Sequence, residues 1–135
     1  MERHEVKQKI QYYYQLKREA IVKQKELNKF QYIIDGVKGV PYGDVHGGGL
    51  DRDHKIVAGI ERKEEMEAYL DKHYMEMALL WSELHMNLLT DEDNRLLDKV
   101  FLERLSYDKV AEEIGYASKV GVHRRLKKIY DKIGK

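Results

Sequence analysis

Residues 106–129, SYDKVAEEIGYASKVGVHRRLKKI, carry the signals for two short helices joined by a tight turn. Ser106 and Ser118 favour helix starts, because a serine hydroxyl accepts a hydrogen bond from a free backbone N–H in the first turn. Gly115 lies where a helix commonly ends in a left-handed conformation. The stretch therefore predicts one helix between Ser106 and Gly115 and a second that begins at Ser118.

A third short helix is predicted directly before this pair. Thr90 with Asp93 three residues later is a variant of the capping box. Across all three helices, apolar residues recur at steps of three and four. Two helices around a glycine turn, with the small Ala111 where they approach, are typical of a helix-turn-helix. The residues expected to face inward are Leu97, Val100, Phe101, Leu105, Val110, Ala111, Ile114, Val122, Leu126, Ile129 and Ile133.

The amino-terminal part of the chain predicts one long helix. Residues 3–34 contain no glycine or proline, and an apolar residue recurs every seven positions, as in a coiled-coil arm. Lys9 and Lys23 interrupt the pattern at two positions. The stripe consists of Val6, Tyr13, Leu16, Ala20, Leu27, Phe30 and Ile34.

A second apolar stripe, from about Asp53 to Leu89, predicts another long helix. Residues 35–52 separate the two and contain six of the ten glycines and the only proline, so a loop is expected there. Helices of similar length joined by a loop should fold back as an antiparallel hairpin, with Trp81 buried between its arms. Exchange of arms between two chains, which would make a homo-oligomer, is the alternative. The second stripe consists of Ile56, Ile60, Leu70, Tyr74, Met77, Trp81, Leu84 and Leu88.

The predicted fold is all-α. A long antiparallel helical hairpin with coiled-coil-like arms forms residues 1–89, with its Gly-rich loop at 35–52, and a C-terminal trihelical helix-turn-helix domain forms residues 90–135. The chain has no cysteine, which excludes disulfides and thiolate metal sites. Purely apolar runs such as Ala78–Trp81 are far too short to span a membrane, and the charged start does not predict a signal peptide. A cytoplasmic protein without a metal or cofactor is expected.

Charge is segregated along a chain whose net charge is only +1. Residues 53–104 carry seven Lys/Arg against thirteen Asp/Glu, whereas residues 118–135 carry seven Lys/Arg against Asp131 alone. A one-sided basic segment favours an anionic partner. In the last helix, the residues at its amino end should read base edges in the major groove of DNA, and those further along should meet phosphates. The predicted DNA-binding residues are Ser118, Lys119, Val120, Gly121, His123, Arg124, Arg125, Lys127, Lys128 and Lys132.

Residues 89–133 resemble region 4 of bacterial sigma factors, in which Ser-x-x-x-[Val/Ile]-Ala-x-x-[Leu/Ile]-Gly precedes a recognition helix that starts at serine. The matching residues are Ser106, Val110, Ala111, Ile114, Gly115 and Ser118. The whole chain resembles the RinA and ArpU type of small phage-encoded transcriptional regulators of Gram-positive bacteria, in which a Gly-Met-Pro…Gly-Gly-Gly…Asp-Arg loop precedes the second helix. Its counterparts here are Gly39, Pro41, Gly47, Gly48, Gly49, Asp51 and Arg52, with Val40 in place of Met.

This resemblance implies a sequence-specific transcriptional regulator that binds promoter DNA of late phage genes in the cytoplasm of the bacterial host. One alternative is a DNA-packaging protein similar to a small terminase subunit, which would form a ring. Another is an interaction protein that contacts host RNA polymerase without binding DNA, through the acidic segment 53–104. An enzyme is not expected, because the Gly-rich loop lacks the Gly-Lys-[Ser/Thr] of a phosphate loop and the six histidines lack metal-binding helical spacing.

Overall fold

The computed structural model of the chain describes residues 1–38 and 49–135, and for residues 37, 38 and 49–56 it describes the backbone alone. The described part is all-α, as predicted, and contains no strand. Two long helices are followed by short ones. They are α1 (Arg3–Lys38), α2 (Gly49–Glu83), a 3₁₀ turn (Met86–Leu88), α3 (Asp91–Leu97), a π-helical segment (Asp98–Leu102), α4 (Tyr107–Ile114) and α5 (Lys119–Ile133).

The chain divides into two compact units, and the division does not coincide with the predicted boundary between residues 89 and 90. One unit comprises Met1–Arg18 together with Met75–Lys135, and the other comprises Glu19–Tyr74. The beginning of α1 and the end of α2 therefore belong with the helix-turn-helix. The reason is that the first turns of α1 share a hydrophobic core with the C-terminal helices.

The unit Glu19–Tyr74 consists of antiparallel parts of α1 and α2. The partner numbers fall along α2 as they rise along α1. His73 bonds Glu19 at 2.7 Å, the Lys23 ammonium lies 5.0 Å from the centre of the Tyr69 ring, and a Cβ at Gly59 would lie 3.3 Å from Ile34. The predicted hairpin is confirmed within this unit. Its core consists of Ala20, Leu27, Met66 and Leu70, with Phe30 packed against them.

The larger unit buries a broad face of the first half of α1. Val6 and Tyr13 on this face belong to the predicted heptad stripe, whereas Ile10 and Tyr14, which widen it to one side, do not. The Tyr14 ring stacks on Phe101 of the π-helical segment, with ring centres 5.9 Å apart. Burial, followed by the nearby Asp98 carboxylate, raises the pKa of Tyr14. A single helix thus contributes residues to the cores of both units.

The predicted second stripe is confirmed at Leu70, Met77 and Leu84 and is wrong at other positions. Trp81 is 38% exposed instead of buried, although its ring lies 6.2 Å from that of Tyr13. Ile60, Tyr74 and Leu88 are also exposed. The side chain of Ile56 lies outside the described residues. The residues that do pack inward along this helix and just beyond it are Met66, Leu70, Met77, Leu80 and Leu84.

A histidine explains why the apolar pattern indicated Tyr74 as an inward residue. The inward position between Leu70 and Met77 is His73, whose Nε2 bonds the Glu19 carboxylate and whose side chain is mostly covered. Tyr74, next in sequence, points outward but fits the same spacing of three and four. A polar residue with a partner therefore holds a core position that hydrophobic periodicity cannot detect.

The predicted loop at 35–52 is shorter in the structure at both ends. α1 continues to Lys38 and α2 begins at Gly49. The Gln31 side chain donates to Asp35 Oδ1 at 2.8 Å, one turn apart, and extending an existing helix is far easier than starting one. Residues 39–48, which include much of the Gly-Pro-Gly-Gly-Gly motif, lie outside the described residues, as do the side chains of Asp51 and Arg52.

Gly134, directly after α5, occupies a position without room for a side chain. A Cβ there would lie 2.7 Å from the Tyr130 carbonyl oxygen and 2.7 Å from Val6 Cγ2. Gly134→Ala should lower the free energy of unfolding, measured with urea, by about 1–3 kcal/mol. Gly36→Ala is the control, because nothing lies within 4 Å of that Cβ position and alanine favours a helix by less than about 1 kcal/mol. Equal effects of the two substitutions would contradict the close approach at Gly134.

Candidate nucleic-acid interface

The helix-turn-helix forms at the residues that the sequence indicated. The Ser106 hydroxyl accepts from the Lys109 N–H at 3.2 Å, and the Ser118 hydroxyl accepts from the Val120 N–H at 3.3 Å. Gly115 ends α4 with a φ of 95°, in the left-handed region. α4 and α5 pack against each other on either side of this turn. The caps and the turn are therefore confirmed.

The apolar face of α5 is also confirmed. Val122, Leu126, Ile129 and Ile133 are all buried in the core of the larger unit. Tyr130 is buried beside them, which the spacing had not indicated. With this face fixed, the opposite face of α5 points to solvent.

Most of the predicted DNA-binding residues lie on that exposed face. Ser118, Lys119, Val120, His123, Arg124, Lys127 and Lys128 are exposed. Among the described residues, Lys119, Arg124, Lys127 and Lys128 have no carboxylate partner. The His123 ring meets the edge of the Tyr107 ring at the start of α4, with centres 4.5 Å apart. α5 therefore presents four cations whose charge no side chain of the described chain neutralises.

Gly121 does not belong to the exposed face. A Cβ there would lie 3.2 Å from Cβ and Cγ of Tyr116, which stands in the turn before α5. The glycine thus lets the turn pack on the first turn of the helix. This contact explains a residue that local helix propensity disfavours, while the close approach to a ligand at Gly121 stays a prediction.

Arg125 and Lys132 were predicted to meet phosphates, and the structure adds that both bind a carboxylate of the protein. Asp93 of α3 is 1% exposed. Its Oδ1 accepts from Arg125 Nε at 2.9 Å and from Nη2 at 2.5 Å, and its Oδ2 accepts from Lys132 Nζ at 3.3 Å. The two cations are seven positions apart on one side of α5, and they hold that helix to the amino end of α3.

Asp93 is also the second partner of a capping box. The Thr90 hydroxyl accepts from the Asp93 N–H, and the Asp93 carboxylate accepts from the Thr90 N–H, each at 3.2 Å. Burial alone would raise the pKa of Asp93, but the hydrogen bonds from Thr90, Arg125 and Lys132 outweigh it and lower the pKa below 3.8. The Asp93 carboxylate is therefore ionised, and its bonds join α3 to α5.

Several other cations of the larger unit are neutralised within it. Arg3 forms a paired bond with Asp131, at 2.7 and 2.8 Å. Lys9 bonds Glu83, Lys17 lies 3.7 Å from Asp98, and Lys99 lies 3.0 Å from Glu113. Lys7 of α1 and Arg104, after the π-helical segment, are exposed and have no carboxylate partner among the described residues.

The sequence did not indicate where Lys7 and Arg104 lie, because its clearest basic segment is the last helix. The basic excess of residues 1–30 was visible, with eight Lys/Arg against four Glu. Nothing in the sequence placed it beside the helix-turn-helix. That placement depends on the burial of Ile10 and Tyr14, which widen the inward face of α1.

None of the helices in the described part of the chain combines the length and the apolar composition that crossing a bilayer requires. Comparison of the chain with protein-family models, with curated proteins and with solved structures found no match.

Proposed function

We propose that this protein is a sequence-specific double-stranded-DNA-binding transcriptional regulator, with α5 as its recognition helix. The observation that carries the proposal is the exposed face of α5, where Lys119, Arg124, Lys127 and Lys128 lack carboxylate partners in the described chain. Unpaired cations on a helix supported by a helix-turn-helix suit a major groove lined by phosphates.

The positions along α5 suggest separate roles. Arg124 lies near the amino end of the helix, where an arginine can donate to guanine O6 and N7. Lys127 and Lys128 lie one turn further on, and Lys119 at the helix start; all three suit phosphate contacts. Val120 is exposed in the first turn and can contact a thymine methyl group. The resemblance to RinA and ArpU regulators supports late phage genes as the target.

The test begins with selection of binding sites from a random-sequence duplex library. We expect the wild-type protein to enrich one motif. Arg124→Ala should weaken binding to that motif by about 1–3 kcal/mol, with little change on scrambled duplex, because it removes a base contact. Lys128→Ala should weaken binding to both duplexes alike, because it removes a phosphate contact.

Both side chains are exposed, so neither substitution should alter folding, and the melting temperature serves as the control. If the wild-type protein enriches no motif, the proposal of sequence-specific binding fails. If Arg124→Ala weakens binding to both duplexes equally, the assignment of base reading to Arg124 is wrong.

A protein-interaction role is the second candidate, favoured by apolar side chains exposed on α2. Met75 and Leu79, one turn apart, are 67% and 66% exposed. Such a face suits a second copy of this chain or a surface of host RNA polymerase. The mass in solution separates these from a packaging role, because a ring of eight or more chains would favour packaging and a monomer or dimer would oppose it.

A further inference from the structure

A basic groove runs along the larger unit beside the recognition helix. A cavity of about 350 Å³ is lined by Lys7 and Arg18 of α1, by Arg104, and by Tyr107 at the start of α4. A second cavity, of about 210 Å³, shares Lys7 and Tyr107 and reaches His123 and Lys127 of α5. The two cavities are neighbours, because Lys7 and Tyr107 line both, and together they are called the basic groove below.

The groove has an unbalanced charge. No Asp or Glu is among the residues that line the two cavities. Arg3 lines the second cavity but is paired with Asp131, and Arg18 donates to the Phe101 carbonyl oxygen. Lys7, Arg104 and Lys127 have no carboxylate partner in the described chain. Like charges around a concave surface repel one another, and an anion in the groove relieves that repulsion.

The backbone at Arg104 gives an independent indication of function. Its φ is 55°, in the left-handed region that glycine and asparagine tolerate best. A non-glycine residue held there costs on the order of 1–3 kcal/mol, and such residues cluster at functional sites. Arg104 follows the π-helical segment Asp98–Leu102, another feature that is frequent at functional sites. An arginine at this strained position places a cation at the groove where a glycine would be easier.

We propose that this groove binds the phosphate backbone of the same DNA whose major groove α5 enters, so that Lys7 of α1 and Arg104 are part of the DNA interface. The inference rests on the proposed function and extends it beyond the helix-turn-helix. Continuity through His123 and Lys127 joins the groove to the exposed face of α5. Contacts to phosphates outside the recognition helix fix the orientation of a protein on the duplex.

The test uses Lys7→Gln, Arg104→Gly and the double variant in the full chain. Affinity for a random-sequence duplex is measured over a series of salt concentrations. Each single variant should weaken binding at low salt by roughly 3- to 10-fold and reduce the log–log salt slope by about one, and the double variant by about two. Lys72→Gln is the matched control, because Lys72 is an exposed lysine of α2 that lines neither cavity, and its affinity and slope should stay near wild type.

Folding is checked by thermal unfolding. Arg104→Gly should melt at the wild-type temperature or above it, because glycine tolerates the left-handed backbone. If that variant fails to fold, Arg104→Asn removes the same charge with a residue that also tolerates this conformation.

The outcomes separate this inference from the proposed function. If the wild-type protein binds duplex and the double variant keeps the affinity and slope of Lys72→Gln, the groove is not a DNA contact, while the role of α5 stands. If the wild-type protein binds no duplex at any salt concentration, both proposals are wrong. A loss in the groove variants alone, with the selected motif unchanged, is the result that we expect.

Discussion

Replacing Asp93 with alanine should lower the free energy of unfolding by about 2–4 kcal/mol, because it removes charge-assisted hydrogen bonds and a helix cap together. The carboxylate is almost fully buried and accepts from Arg125, Lys132 and the Thr90 backbone. Both cations remain partly exposed and can turn to water, which keeps the loss below that of a fully buried pair. Urea unfolding followed by circular dichroism measures the change.

Asp91 provides the matched control, since it is an exposed aspartate in the first turn of the same helix. Asp91→Ala loses only a favourable interaction with the helix dipole, which amounts to less than about 1 kcal/mol. A second control is Asp93→Ala in an Arg125→Gln background, where the further loss should be smaller because one partner is already absent. Equal losses for the two aspartates would show that the buried cluster does not hold α3 and α5 together.

The same cluster predicts a dependence of stability on pH. The pKa of Asp93 is lower in the folded protein than its ordinary value of 3.8. Its contribution is therefore fully present above that ordinary value and is lost as the pH falls through the lower, folded value. The wild-type protein should lose more stability in this acid range than Asp93→Ala does.

Raising the salt concentration from about 50 to about 200 mM should weaken binding to duplex DNA by roughly 500-fold, if five cations meet phosphates at about −0.9 each on the log–log slope. Three of them are Lys119, Lys127 and Lys128 of α5, and the other two are Lys7 and Arg104 of the groove. Arg124 is not counted, because it is assigned to base edges. Fluorescence anisotropy with a labelled duplex measures the slope.

The slope of log affinity against log salt concentration distinguishes an interface made by α5 alone from one that includes the groove. Contacts from α5 alone would give about −3, whereas α5 with the groove would give between −4 and −5. A flat profile would show that the basic face of α5 is only a solvated surface. Asp93→Ala gives an additional check, because it frees Arg125 and Lys132 and should increase the salt-sensitive binding to random duplex.

The helix-turn-helix was predictable because its signals are local. The caps at Ser106 and Ser118 and the turn at Gly115 depend on groups within a few residues of each other. The heptad stripe of α1 was predictable for a similar reason, since a strong repeat over many turns allows one inward face, and Val6, Tyr13 and others are buried as expected.

On α2 the sequence allowed two neighbouring faces. Tyr74 and Trp81 fit the helical period as well as His73 and Leu80 do, and only packing against α1 selects between them. His73 is held inward by Glu19, a residue far away in sequence. The hairpin was therefore predictable, but its contact face was predictable only in part.

The sequence by itself determined the helices, their caps, the turn and the outward direction of Lys119, Arg124, Lys127 and Lys128, because each depends on neighbours one or two turns away. Only the tertiary structure decided the use of the remaining charges. It paired Arg125 and Lys132 with Asp93, and it brought Lys7 to the groove near Arg104. The physical reason is that a charge is neutralised by the opposite charge that lies within a few ångströms of it. That partner is often far away in sequence, where no local pattern can indicate it.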